Sequence, residues 1–183
     1  MAHFLPYTDP LRKVTIVPRG MALGVTEQMP EEERVSYSKK YLDDQVSVLL
    51  GGRIAEDLVF QDVTTGAEND LKRATTLARQ MISNWGMNDK FGLMSVKQGE
   101  THVFLGKELG HDRDFSEQTA QLIDQEIMDY LSNKAQFVES VLKKQQTYLD
   151  KLACALLDQE TLDSKEINEI LAGMDRPQKA VLN

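Results

Sequence analysis

The chain has 183 residues, 41% apolar and 27% charged, which is the mix of a folded soluble domain and not of a fibrous or disordered one. Its 29 acidic against 21 basic side chains leave a formal charge of -8, a field that repels phosphate backbones and so excludes nucleic acid as a partner. Cys154 is the only cysteine, which rules out an intramolecular disulfide and any multi-cysteine zinc site. No apolar run approaches the ~20 residues that cross a bilayer, so membrane contact is expected only through segments outside this sequence.

From the start, Pro6, Pro10, Pro18, Gly20, Gly24 and Pro30 forbid a long helix over residues 1–30. Two short β-like runs lie between them, Val14-Thr15-Ile16-Val17 and Ala22-Leu23-Gly24-Val25-Thr26, joined by the turn residues Pro18-Arg19-Gly20. They predict a small antiparallel ribbon that must lean on helices to be stable. The acids Glu31, Glu32 and Glu33 then read as a helix start, where they complement the dipole.

Leu42, Val46, Leu49, Leu50, Ile54, Leu58 and Val59 recur at helical spacing. Gly51-Gly52 interrupts that stripe, and two readings stand: a break between two helices, or a small-residue packing contact. Thr65-Gly66-Ala67-Glu68 has the form of a capping box, followed by the stripe Leu71, Ala74, Ala78, Met81, Ile82, Trp85 and a stop at Gly86. Residues 87–113 read as loop, with a strand pair around Leu93-Met94-Ser95-Val96 and His102-Val103-Phe104-Leu105. From Asp114 the pattern is helical, and Asp163-Ser164-Lys165-Glu166 caps a last short helix ahead of Gly173 and Pro177.

His3, His102 and His111 are the only histidines, and no two stand at i, i+4, so the sequence contains no His-based zinc site of its own. Asp70 sits at the edge of the face that the capped helix must bury, where an ionised carboxylate is costly unless something meets it. A salt bridge to a residue such as Arg53 or Arg79, backbone capping, or metal ligation would each satisfy it. Glu56-Asp57 reads as a solvated face, and with no Gly-rich phosphate loop present the chain is not expected to hydrolyse ATP.

The run Asp9-Pro10-Leu11-Arg12-Lys13-Val14-Thr15-Ile16-Val17-Pro18-Arg19-Gly20-Met21-Ala22-Leu23-Gly24-Val25-Thr26 resembles the peptidase domain of the FtsH family of membrane-bound, ATP-dependent zinc metalloproteases. Leu49-Leu50-Gly51-Gly52-Arg53-Ile54-Ala55-Glu56, Thr64-Thr65-Gly66-Ala67-Glu68-Asn69-Asp70-Leu71, Trp85-Gly86-Met87 and Ile123-Asp124-Gln125-Glu126 extend the likeness in order over nearly the whole chain.

The resemblance implies a mainly α fold: a helical metalloprotease domain with a small β-ribbon near the N-terminus and a C-terminal helical bundle. The expected division is an incomplete zinc peptidase unit over 1–113, a helical unit over 114–176 and a tail over 177–183. It further implies that Asp70 is the carboxylate ligand of Zn²⁺, with the two histidines and the general-base glutamate of an H-E-x-x-H helix lying before Ala2 and hence outside the chain. His3 corresponds to neither ligand. Leu23, Gly24, Val25 and Thr26 are the expected substrate-binding edge, by strand addition. The intact protein is expected to be a homo-hexamer on the cytoplasmic side of the bacterial inner membrane that degrades membrane and unfolded cytosolic polypeptides, with ATP and Mg²⁺ acting only in a separate ATPase module. The chain by itself is expected to be inactive and to bind zinc weakly. A non-catalytic structural or assembly paralogue within a protease ring is the alternative.

Overall fold

Ser38 starts the first long helix: its hydroxyl accepts from the Tyr41 N–H at 3.2 Å, and α1 (Lys39–Phe60) runs 22 residues until Gln61 turns left-handed at φ 53°. The computed structural model describes residues 1–18, 24–30, 34–96, 115–174 and 177. In it α1 passes through Gly51 and Gly52 without a break, which overturns the two-helix reading. A Cβ on Gly51 would stand 3.0 Å from the Met1 side chain, whereas Gly52 faces open space. The packing contact is therefore real at the first glycine only.

The entry into the next helix lies one residue earlier than the expected box. Glu56 of α1 accepts from the Thr64 N–H at 3.1 Å and the Thr64 hydroxyl at 2.7 Å, which fixes Thr64, and the Thr64 oxygen accepts in turn from the Gly66 N–H. A 3₁₀ turn over Thr65–Ala67 then feeds α2 (Glu68–Arg79). At its far end α2 widens into a π turn, Gln80–Asn84, closed by the Trp85 N–H on the Gln80 carbonyl at 3.0 Å, and Gly86 stops it at φ 60°. The extra residue in that turn rotates Trp85 outward, leaving it 45% exposed instead of in the buried stripe. Leu71, also expected inside, lies a turn before Ala74 and stays 39% exposed.

The long helix α3 (Glu117–Lys144), capped by Ser116, packs across α1 and α2. Leu42, Val46, Leu50, Ala74, Met81, Val138 and Leu142 make the core where the three meet. Leu93-Met94-Ser95-Val96 forms no strand; an isolated bridge joins Asn88 to Gly92, and Val96 is buried against Ile82 and Ile123. The other half of the expected pair, from His102 to Leu105, lies outside the described residues.

The ribbon forms with shifted limits: β1 (Leu11–Thr15) pairs antiparallel with β2 (Val25–Gln28), while Ala22 and Leu23 lie outside the described residues. After α4 (Gln146–Gln159), a strand not anticipated from the sequence, β3 (Thr161–Asp163), pairs with the other side of β1, giving the order β2-β1-β3. Three residues are too few to show a period. Asp163 then caps α5 (Ser164–Ile170) by the anticipated box, accepting from the Lys165 and Glu166 N–H groups while the Glu166 carboxylate accepts from the Asp163 N–H. Leu162, Ile167 and Leu171 share a core with Leu11, Val14, Tyr148 and Leu152, so the ribbon leans on α4 and α5. The architecture is mainly α, as the sequence implied.

Candidate metal centre

Asp70 is the third residue of α2, in the turn where a carboxylate complements the helix dipole. Its side chain is 47% exposed, and the nearest cation, Arg73 one turn on, stands 4.0 Å away. Arg53 and Arg79, the partners suggested by the sequence, are engaged elsewhere, Arg53 with Asp57 at 3.8 Å and Arg79 with Asp124 at 3.3 Å. An exposed contact as long as that to Arg73 contributes little. The carboxylate is thus available to a further cation.

Arg73, Leu77 and Gln80 follow Asp70 at i+3, i+7 and i+10, on one face of α2 and its π turn. Tyr41, Gln45 and Leu49 make the matching face of α1, and the two rows line an open groove whose floor includes Leu42. Asp70 is not among the lining residues; it lies one helical turn before Arg73, which is. Gln45 has a buried side-chain nitrogen with no acceptor among the described residues. An unmet donor of this kind costs about 1–3 kcal/mol.

The N-terminal segment runs along α1 in the opposite direction, from Met1 at Gly51 to Asp9 at Tyr41. The Met1 carbonyl accepts from the Phe4 and Leu5 N–H groups, a helical turn. Further on, the Tyr7 N–H donates to Asp44 at 2.9 Å. Asp9 is buried: the Tyr41 hydroxyl donates to it at 2.8 Å and the Arg34 guanidinium pairs with it at 2.9 Å. Arg34 also lies 4.5 Å over the Tyr41 ring, which Tyr37 stacks against. Burial, then the Asp9 hydrogen bond, pushes the Tyr41 pKa up to about 12. Sequence reasoning missed this cluster, since residues 9, 34 and 41 show no common period.

Of the expected substrate edge, Leu23 lies outside the described residues. Gly24 is required by its own chain: a Cβ there would meet the Thr15 carbonyl oxygen at 2.7 Å. Val25 and Thr26 open β2 and pair with Thr15 and Val14, and both are exposed. The outer side of β2 pairs with no other strand among the described residues. Glu56 caps Thr64, which lowers its pKa, and Asp57 pairs with Arg53, so these two do not form a catalytic pair. Among the described residues no three His, Cys, Asp or Glu side chains are grouped to hold a metal, so a site that used Asp70 would need its other ligands from elsewhere. His102 and His111 lie outside the described residues. No described helix is long and apolar enough to cross a membrane.

The profile of peptidase family M41 matches residues 1–170. The chain is 56% identical over 169 residues to the ATP-dependent zinc metalloprotease FtsH of Nitrosococcus oceani, covering 92% of this chain and 26% of that protein. It is 50% identical over 179 residues to the ATP-dependent zinc metalloprotease FtsH 4 of Sphaerobacter thermophilus, covering 98% and 27%. With FtsH of Marinobacter nauticus it shares 48% over 171 residues, 93% and 27% of the two chains. The chain spans about a quarter of the length of these curated relatives. A match of this extent and identity places the chain in peptidase family M41, the family of the FtsH zinc metalloproteases.

Proposed function

We propose that this chain is the proteolytic module of an ATP-dependent zinc metalloendopeptidase, and that Asp70 supplies its one carboxylate ligand. The observation that supports the reading is the half-exposed, weakly paired Asp70, one helical turn from Arg73, which lines the α1/α2 groove. The two histidines and the base come from an H-E-x-x-H helix outside these 183 residues. The groove suits an amphipathic helix, whose apolar stripe would meet Leu42, Leu49 and Leu77. Zinc, when bound, polarises a peptide carbonyl and lowers the pKa of the attacking water.

Asp70 holds the metal and offsets part of its charge, while the β2 edge aligns an extended polypeptide by strand addition. In this reading residues 1–113 and 114–176 act as peptidase and helical units, with 177–183 as a tail. The intact assembly is a homo-hexamer on the cytoplasmic face of the bacterial inner membrane. It degrades membrane and unfolded proteins, and ATP and Mg²⁺ act in a different module. The 183 residues alone bind zinc weakly and cleave nothing.

Zinc titration tests this. The chain alone should show no tight site, and fusing an H-E-x-x-H helix ahead of Met1 should raise zinc affinity by several orders of magnitude. Asp70→Asn should remove most of that gain. One tightly bound zinc on the unfused chain, or a fused chain indifferent to Asp70→Asn, overturns the reading in favour of a structural module.

A further inference from the structure

Thr15 is the last residue of the central strand, and it pairs with Val25 of β2 on one side and Thr161 of β3 on the other. It is 5% exposed, one of few polar side chains buried among the described residues. A hydroxyl offers one donor and two acceptor positions. The Thr15 hydroxyl donates to the Glu160 carbonyl at 3.1 Å and accepts from the Val17 N–H at 3.1 Å, and it lies 2.7 Å from the Thr161 hydroxyl. The Glu160 carbonyl takes the single Thr15 proton, so Thr161 donates the remaining bond and every position is filled.

The same Glu160 carbonyl also accepts from the Ile16 N–H at 3.0 Å. Glu160 holds a left-handed backbone, φ 58°, at the end of α4, so that carbonyl is aimed by the junction between α4 and β3. On the other side the Thr15 backbone oxygen is the atom that only a glycine at position 24 can approach. One residue therefore touches both the C-terminal unit, α4–β3–α5, and the first residues of the exposed edge strand.

We infer that Thr15 is a positioning residue for an extended polypeptide on β2, setting the edge according to how α4, β3 and α5 are seated. This rests on the reading that β2 receives substrate by strand addition. Its bonds to Glu160, Thr161 and Val17 hold the end of β1 and the start of the connection to Gly24 in one register, and that register decides where the outer N–H and C=O groups of β2 stand. Loosening the node leaves the strand present and its edge poorly placed.

The test uses the 183-residue chain, amide hydrogen exchange over Val25–Gln28, and a fluorescent twelve-residue peptide of alternating valine and serine. Thr15→Val keeps the shape of the side chain and removes the hydroxyl, stranding the Thr161 O–H and the Val17 N–H. It should speed exchange of the β2 amides and weaken the peptide about tenfold each. Thr15→Ser should restore both. Thr161→Val, which removes one bond and spares Thr15, should shift both in the same direction by less, and it decides the matter if Thr15→Val does not fold. Wild-type exchange and affinity in Thr15→Val, or losses that Thr15→Ser does not rescue, overturn the inference. The strand-addition reading fails separately if the wild-type chain binds an alternately N-methylated peptide as tightly as its parent. Exchange at β2 alone then decides whether Thr15 links the C-terminal unit to that edge.

Discussion

Asp9, at the foot of the ribbon, is 6% exposed and meets the Tyr41 hydroxyl and the Arg34 guanidinium within 3 Å. Asp70, in the first turn of α2, keeps 47% of its side chain in solvent, with Arg73 no nearer than 4.0 Å. The two differ in what their own chain has already done for them. A carboxylate that serves the fold is desolvated and answered by donors from several segments, and removing it strands those donors. Asp70 is partly hydrated and nearly unpaired, so the fold hardly depends on it, as its proposed role toward a cation requires.

That contrast can be broken by measurement. Asp9→Ala should have the largest effect, lowering stability in urea by about 2–3 kcal/mol because the Tyr41 hydroxyl and Arg34 lose their partner. A cost under half of that would mean that the Asp9 cluster is not what anchors the N-terminal segment. Glu126 supplies a third carboxylate, buried and bonded by Lys90 and by Asn88 at 3.1 Å. The Lys90 hydrogen bond is the main cause of its lowered pKa, against the opposing effect of burial. A depressed folded-state pKa gives stability that is present above the ordinary value of 4.5 and lost as pH falls through the folded value. The urea midpoint should therefore drop on acidification below 4.5, and Glu126→Gln should flatten that part of the profile.

The wall of the groove allows a smaller test. Gly52 faces open space in the middle of α1, so Gly52→Ala should raise the thermal midpoint, by a stability gain of about 0.5–1 kcal/mol. Gly51→Ala should gain less, because the Met1 side chain must shift. The smallest effect belongs to Asp70→Asn, which should alter stability by less than about 0.5 kcal/mol. A loss approaching that of Asp9→Ala would turn Asp70 into a structural residue and remove the metal reading.

Local signals were legible in the sequence where one stretch of chain decides the outcome. The Asp163–Glu166 box formed as read, and Gly86 does turn the chain after α2. Errors arose where a distant segment intervenes. Glu56 reaches across from α1 to take Thr64, moving the cap off Thr65, and Met1 fills the space over Gly51 that would otherwise suggest a break. Trp85 left the buried stripe because one added residue in a π turn changes the period itself, which no helical template anticipates. For the candidate site, position alone left Asp70 open between an ion pair, a cap and a metal. The family likeness singled it out, and the geometry adds that the contacts of Arg53 and Arg79 are with Asp57 and Asp124, not with Asp70.

The sheet joins partners 146 positions apart, as the bond between Thr15 and Thr161 shows. Closing so large a loop is entropically expensive, and pairings of that kind form late. On a ribosome the ribbon would wait, with its central strand paired on one side only, until Asp163 had emerged, long after α1 and α2 were able to meet. Proteolysis of nascent chains should accordingly find β1 and β2 cleavable until Asp163 has emerged.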